Sequence, residues 1–198
     1  LAETIPDFHN TPMRFAAFRK SLEADSANRA ASAKREIDFA LAQESLAHAL
    51  IDLHLPERVT HNDTKINNVL FDERTDRAVC VVDLDTVMPG LALYDFGDLV
   101  RTATSPAAED ERDLSRVVFQ KPMYDALVEG YLETAGDMLT DAEKEHLALA
   151  GRVITFETGL RFLTDHLGGD TYFKVHREGH NLDRCRTQFR LVERLETI

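Results

Sequence analysis

The sequence is poor in positive charge and in long apolar stretches. Lys and Arg number 23 against 35 Asp and Glu, which gives a formal net charge of −12. Nucleic acids and anionic membranes would be repelled by this charge, so neither is an expected partner. No window approaches the roughly 18 apolar residues that a membrane span needs, and no basic region followed by an apolar run marks a signal peptide. We expect a cytoplasmic protein, because the cysteine usage of the chain fits a reducing compartment.

Cysteine is almost absent, and glycine is missing from the first part of the chain. Only Cys80 and Cys185 are present, and Cys80 lies in an apolar run, which favours a buried free thiol over a disulfide. All nine glycines lie at or after Gly90. Residues 1–89 therefore cannot form a glycine-rich loop around phosphates, and residues 1–58 show no convincing β-sheet pattern.

Helical periodicity dominates what is present. Thr11 and Pro12 predict a helix start with Thr11 as the cap, and Thr140 with Glu143 predicts a capping box at another. Further helices are predicted over residues 34–53, 95–104, 122–136, 141–167 and 181–196.

Two short β-branched runs, 69–71 and 78–82, flank a polar turn and predict a hairpin. The expected fold class is mainly α with one small β-hairpin, and the expected domain is a single helical unit over residues 1–198.

The chemistry is concentrated in the two loops at the ends of this hairpin. The loop 61–68 precedes the first strand, and Asp83 follows the second. Because a hairpin brings its ends together, we expect Asp63, Asn68 and Asp83 to converge. Phosphoryl transfer needs such a set, in which one carboxylate orients the attacking hydroxyl while an amide and a second carboxylate hold Mg²⁺ on the nucleotide phosphates.

The spacing of these residues resembles a known pattern. His61-x-Asp63, then Asn68, a hairpin and an apolar run ending in Asp83 is similar to the catalytic and metal loops of the protein-kinase-like superfamily. The sequence resembles its aminoglycoside-phosphotransferase and choline-kinase branch, although Asn62 stands where that branch usually has Gly. The resemblance implies the C-terminal lobe of the protein-kinase-like fold, with His61 bracing the loop.

Roles follow from this resemblance position by position. It implies Asp63 as the catalytic base, Asn68 and Asp83 as the Mg²⁺ ligands that also contact ATP, and Lys65 as a cation that offsets γ-phosphate charge. Asp95 would be a structural carboxylate tying the metal loop to the helix behind it; taken alone, it is more typical of a helix cap.

Within this branch the chain looks like the N-acetylhexosamine 1-kinases. The stretches that carry this likeness are 61–65, 82–90, 159–167 and 169–174. The likeness implies phosphoryl transfer from ATP to the anomeric hydroxyl of the sugar, with Arg161 and Tyr172 as sugar contacts. From the residues alone, Arg161 is equally a solvated charge and Tyr172 is often a core residue. Asp85 is open between metal neighbour, substrate contact and loop brace.

A complete kinase of this superfamily carries a sheet-rich, glycine-loop lobe on its N-terminal side. Because the first part of the chain has neither feature, we expect this ATP-binding lobe to be absent from residues 1–198. We expect it to pack on this chain when present, and we expect the 198 residues alone to be inactive.

Several alternatives compete with a sugar kinase. A polycationic aminoglycoside substrate would be attracted by the acidic charge of the chain. Choline is disfavoured, because its recognition generally uses an aromatic cage and the chain has no Trp and four Tyr. The run 81–87 resembles the nucleophile motif of haloacid-dehalogenase-type phosphatases, which need several further parallel strands. A non-catalytic binding module is the remaining alternative, and the intact Asp63, Asn68 and Asp83 argue against it.

Overall fold

Helices dominate the computed structural model, which describes residues 2–196. The α-helices are α1 (Thr11–Ala24), α2 (Lys34–Ala42), α3 (Ala92–Ala103), α4 (Lys121–Ala135), α5 (Asp141–Glu145), α6 (Leu147–Leu167) and α7 (His180–Leu195). The strands are β1 (Glu57–Thr60), β2 (Val69–Phe71), β3 (Ala78–Val81) and β4 (Met88–Leu91). Short 3-10 turns cover Ala30–Ala33, Glu44–Ala47, Ile51–Leu53, Ile66–Asn68, Leu84–Thr86 and Leu114–Arg116.

Helix α6 forms the centre of the core because nearly every turn of it carries buried apolar side chains. Phe156, Leu160 and Leu163 on this helix are fully buried. It packs against α1, α3 and α7. At the α7 contact, a Cβ added to Gly159 would lie 2.7 Å from the ring of Phe189, so the two helices approach too closely for a larger residue.

Two separate antiparallel sheets frame the loops that carry the chemistry. In the first, β1 pairs with β4 and places Thr60 opposite Met88. In the second, β2 pairs with β3 and places Val69 opposite Val81. The loop 61–68 therefore runs from the first sheet into the second, and residues 82–87 run back, so that the two loops lie side by side.

The single helix expected over residues 34–53 is wrong. Helix α2 ends at Ala42 and is followed by two 3-10 turns. The tighter turns still bury Leu46 and Leu50, whereas Leu41 is 36% exposed. Burial of individual apolar residues has overridden the helical spacing of the sequence here.

The expectation of one hairpin was also incomplete, because β1 and β4 make a second sheet. The hairpin itself is confirmed, but Cys80 is exposed rather than buried, since every residue of β3 is exposed in its two-stranded sheet. Both cysteines are free thiols.

Helix starts are partly as predicted. The capping box of Thr140 and Glu143 is present. The cap of α1 is Asn10 rather than Thr11, because the Asn10 side chain accepts from the Met13 N–H. Helix α3 begins at Ala92, so Asp95 lies in its first turn and does not cap it.

Helix α4 follows the prediction within one residue, whereas the predicted helix 141–167 is divided into α5 and α6. Among residues 2–196, none of the helices is both long and apolar enough to span a lipid bilayer.

Candidate active site

Helix α3 holds the loop 61–68 through one half-buried carboxylate. Asp95 Oδ2 accepts from the His61 N–H at 2.9 Å, and Asp95 Oδ1 accepts from the Asn62 N–H at 2.7 Å. The Thr64 hydroxyl donates to the Asp95 carbonyl at 2.6 Å. Burial raises the pKa of Asp95, while the two N–H donors oppose that rise. Asp95 is thus structural, as expected, but it holds the loop 61–68 rather than the loop 82–87 that carries Asp83.

Asn62 stands where similar sequences usually have Gly, and its backbone conformation is one that Asn tolerates. Its φ of 64° lies in the left-handed region, where Asn is the best-tolerated residue after Gly. The buried side chain accepts from the Thr60 hydroxyl at 3.0 Å and donates to the Thr86 carbonyl at 3.1 Å. A Cβ on Gly90 would lie 2.7 Å from the Asn62 Oδ1, so glycine at 90 leaves room for this side chain.

His61 braces the two loops against each other, as expected. Its Nε2 lies 3.1 Å from the Val82 carbonyl, and its Nδ1 accepts from the Asp63 N–H at 3.3 Å. The Thr86 hydroxyl donates to the His61 carbonyl at 2.6 Å. These contacts fix the backbone on either side of Asp63.

Four of the predicted residues come together in space. Lys65 Nζ forms an ion pair with Asp63 Oδ2 and lies 3.7 Å from Asp83 Oδ2. The Asn68 side-chain amide donates to the Asp63 carbonyl at 2.8 Å and to Asp63 Oδ2 at 3.1 Å. The Asp83 side chain is 51% exposed. The backbone φ of Asp83 is 64°, which lies in the left-handed region.

The donor set of Asn68 and Asp83 fits a magnesium ion carried by a nucleotide. Both hydrogens of the Asn68 NH₂ are used on Asp63, so its amide oxygen is the atom that is free to ligate. Mg²⁺ prefers oxygen ligands and is commonly held by one or two protein groups plus substrate phosphates and water. Within the described part of the chain, no group of three or more His, Cys, Asp or Glu forms a metal cage.

Arg161 and Tyr172 also come together, at a cavity of about 310 Å³. The Arg161 guanidinium lies 5.5 Å from the ring centroid of Phe8, 6.0 Å from that of Tyr172 and 5.5 Å from that of Phe173. Arg14 lines the same cavity. Burial and the neighbouring Arg161 charge lower the pKa of Arg14.

The loop that carries Tyr172 is held by Asp165, which sequence reasoning missed. The buried Asp165 carboxylate accepts the backbone N–H groups of Thr171, Tyr172 and Phe173 at 2.8, 2.8 and 2.9 Å. Tyr172 itself is 73% exposed, so it is not a core residue. An Asp near a helix end, followed by glycines, is the only signal the sequence offers for this role.

Asp85 contacts the N-terminal segment of the chain. Its carbonyl accepts from the Thr4 hydroxyl at 3.3 Å. Its exposed carboxylate makes no hydrogen bond or ion pair with Asp63, Lys65 or Asn68 within residues 2–196.

The comparison with known families agrees with this geometry. A model described as the phosphotransferase enzyme family (APH) matches residues 1–142, which include both loops and the hairpin. The match covers more than half of the chain, and the chain belongs to this family. Membership identifies phosphotransfer as the class of reaction and supports the kinase-like fold. Enzymes of the family generally use ATP and Mg²⁺. Arg161 and Tyr172 lie beyond the matched residues.

The phosphatase alternative does not fit the described fold. After Asp85 the chain forms one further strand, β4, which pairs antiparallel with β1. Within residues 2–196 no parallel strand follows the motif, and strand ends of that kind would be needed to carry the other catalytic residues.

Proposed function

We propose that this chain is the catalytic lobe of an ATP-dependent kinase that phosphorylates a sugar hydroxyl, and that the acceptor is the anomeric hydroxyl of an N-acetylhexosamine. The observation that carries the proposal is the convergence of Asp63, Lys65, Asn68 and Asp83 on two adjacent loops.

Asp63 is the base in this proposal. The sugar hydroxyl gives its proton to the Asp63 carboxylate while its oxygen forms a bond to the γ-phosphorus. The bond between that phosphorus and the β,γ-bridging oxygen breaks, and ADP leaves. Lys65 already lies beside the carboxylates of Asp63 and Asp83, so its charge is available to the transferring group. Asn68 and Asp83 would hold Mg²⁺, which neutralises phosphate charge when bound.

The cavity at Arg161 is the proposed sugar site. Its volume of about 310 Å³ is at the lower end of the range for small-ligand sites. The Tyr172 and Phe173 rings offer apolar faces to the sugar carbons, and Arg161 offers donors to hydroxyl or acetamide oxygens. Two guanidinium groups, from Arg14 and Arg161, line the cavity. They favour a neutral sugar over a polycationic aminoglycoside, despite the acidic charge of the whole chain.

An ATP-binding lobe outside residues 1–198 completes the site in this proposal. Its support is an apolar surface on the hairpin, where Phe71, Val79 and Val81 are 48%, 63% and 52% exposed. An exposed apolar patch of this kind commonly marks an interface. A lobe packed there would lie close to Asp83, which follows strand β3 along the chain.

The test is a substrate screen of the full-length protein with Mg²⁺-ATP. N-acetylhexosamines, other hexoses, aminoglycosides and choline are each offered, and ³¹P NMR identifies the product. We expect an anomeric phosphate on an N-acetylhexosamine. Efficient turnover of an aminoglycoside or choline without any sugar phosphate would contradict the proposal.

A further inference from the structure

A buried histidine connects the catalytic loop to the central helix. His9 is 8% exposed. Its Nδ1 lies 2.8 Å from Glu157 Oε1 on α6, and its Nε2 lies 2.8 Å from the carbonyl oxygen of Asn62. The other Glu157 oxygen accepts from the Thr11 hydroxyl at 2.6 Å. Asn62 is the residue immediately before Asp63.

Each of the two hydrogen bonds of the His9 ring, one at Nδ1 and one at Nε2, needs its own proton. A carbonyl oxygen only accepts, so Nε2 must donate to Asn62. One proton must also lie between Nδ1 and Glu157. A neutral histidine with an ionised Glu157 would leave that second contact without a hydrogen.

Electrostatics place this proton on the histidine. Burial alone would lower the pKa of His9, but the Glu157 carboxylate and the hydrogen bonds raise it overall. The pKa of Glu157 is lowered, against the effect of burial, by His9, by Thr11 and by Arg161. Both directions favour an imidazolium paired with a carboxylate.

We infer that His9 is a positioning residue, which as an imidazolium fixes the carbonyl of Asn62 to helix α6 and so holds Asp63 in place. This inference rests on the proposed role of Asp63 as the base. Loss of the proton would remove one of the two hydrogen bonds, and the loop would lose its anchor on α6.

The surroundings of His9 favour the charged form of its ring. Glu157 faces it from α6, and Asp98 and Asp95 on α3 interact with it electrostatically. The ring of Tyr94 lies 5.0 Å from the His9 ring. Two cations, Arg161 one turn beyond Glu157 and Arg14 on α1, interact electrostatically with Glu157. The pKa of His9 therefore lies above its usual value of about 6.5. The proton, and with it the positioning of the loop, is lost as the pH rises through this raised pKa.

The first test does not depend on any substrate. In the ¹⁵N-labelled full-length protein, we expect both His9 ring nitrogens to show mainly the shifts of protonated imidazolium at pH 6.5, about the usual pKa of histidine. A shift typical of an unprotonated nitrogen at that pH would overturn the inference. This result stands whichever acceptor the enzyme uses, so it separates this inference from the proposed sugar specificity.

The second test uses variants in the kinase assay. His9→Gln should lower kcat by about 10- to 100-fold through misplacement of Asp63, with KM for Mg²⁺-ATP unchanged. Glu157→Gln should move the alkaline fall in kcat to lower pH, because the imidazolium loses its counter-charge. Thr11→Val is the matched control, since it removes a Glu157 hydrogen bond but does not touch Asn62.

Equal losses of kcat in His9→Gln and Thr11→Val would overturn the inference, because they would show a general effect of the buried carboxylate. An unchanged pH profile in Glu157→Gln would also overturn it. If His9→Gln does not fold, the ¹⁵N shifts and the Glu157→Gln profile decide.

Discussion

At the scale of single residues, Asp83 and Asp76 form a natural pair for testing the metal assignment. Both are aspartates with positive φ, of 64° and 53°, near the two ends of strand β3. Replacing either with Ala should cost a similar backbone strain. Only Asp83→Ala should also lose a magnesium ligand.

We therefore expect Asp83→Ala in the full-length protein to weaken Mg²⁺-ATP binding at least tenfold while free sugar still binds. Asp76→Ala should bind both as the wild type does. Calorimetry measures both affinities. Unchanged Mg²⁺-ATP affinity in Asp83→Ala would show that this carboxylate does not hold the metal.

Sequence spacing could predict which residues converge only where they lie close to one another along the chain. Asp63, Asn68 and Asp83 lie at fixed distances from a short hairpin, so their convergence could be predicted. His9 and Glu157 are 148 positions apart, and nothing local marks either of them. The exposure of Cys80 was missed because an apolar run has the same composition whether or not another layer covers it.

At the scale of elements, the contact between α6 and α7 can be tested with two glycines. Gly159→Ala would place a Cβ 2.7 Å from the Phe189 ring, and overpacking of this kind typically costs about 1–3 kcal/mol. Gly130→Ala, in the exposed part of α4, meets nothing within 4 Å and should stabilise the helix by about 0.5–1 kcal/mol. Urea unfolding measures both changes. Equal stability of the two variants would contradict the close packing of α6 on α7.

The ion pair between Arg58 on β1 and Glu143 on α5 should make the stability of the fold depend on pH in acid. The Arg58 guanidinium donates to both carboxylate oxygens of Glu143 at 2.8 and 2.7 Å. These bonds, with those from Thr140, lower the pKa of Glu143 from 4.5 to about 2. A lowered pKa stabilises the fold above the unfolded value of about 4.5 and loses that contribution as the pH falls towards 2.

Glu143→Gln should therefore remove a contribution of the order of 3 kcal/mol, and with it part of the pH dependence of unfolding below pH 4.5. Glu145→Gln, an exposed change on the same helix, should keep the wild-type slope. Urea unfolding between pH 5 and pH 2 gives the comparison. A wild-type slope in Glu143→Gln would mean that the Arg58 contact contributes nothing.

Element boundaries were predicted best where one strong local signal fixes them. The capping box at Thr140 located the start of α5, because both of its hydrogen bonds are local. The β1–β4 sheet joins residues about 30 positions apart, and its short strands carry no clear alternation. Helix α2 ends early because the core contacts of Leu46 and Leu50, rather than local propensity, set the path of the chain.

At the scale of the whole molecule, we expect residues 1–198 to fold by themselves but not to transfer phosphate at a useful rate. The core around α6 joins α1, α3 and α7 within this chain, which supports cooperative folding. ATP would be held from one side only, and phosphoryl transfer depends on positioning and electrostatic stabilisation. Thermal unfolding followed by circular dichroism, together with ³¹P NMR of a reaction mixture, tests both parts. Turnover equal to that of the full-length enzyme would place the nucleotide site entirely within these residues.

The central claim is that Asp63 is the base of a phosphotransferase, and its most direct test is the turnover of Asp63→Asn in the full-length enzyme. The Asn side chain keeps the shape of the site but cannot accept the proton. We predict a fall in kcat of about 10²- to 10⁴-fold, with unfolding free energy near that of the wild type and no change in Asp76→Asn. Turnover of Asp63→Asn close to the wild-type value would contradict the account.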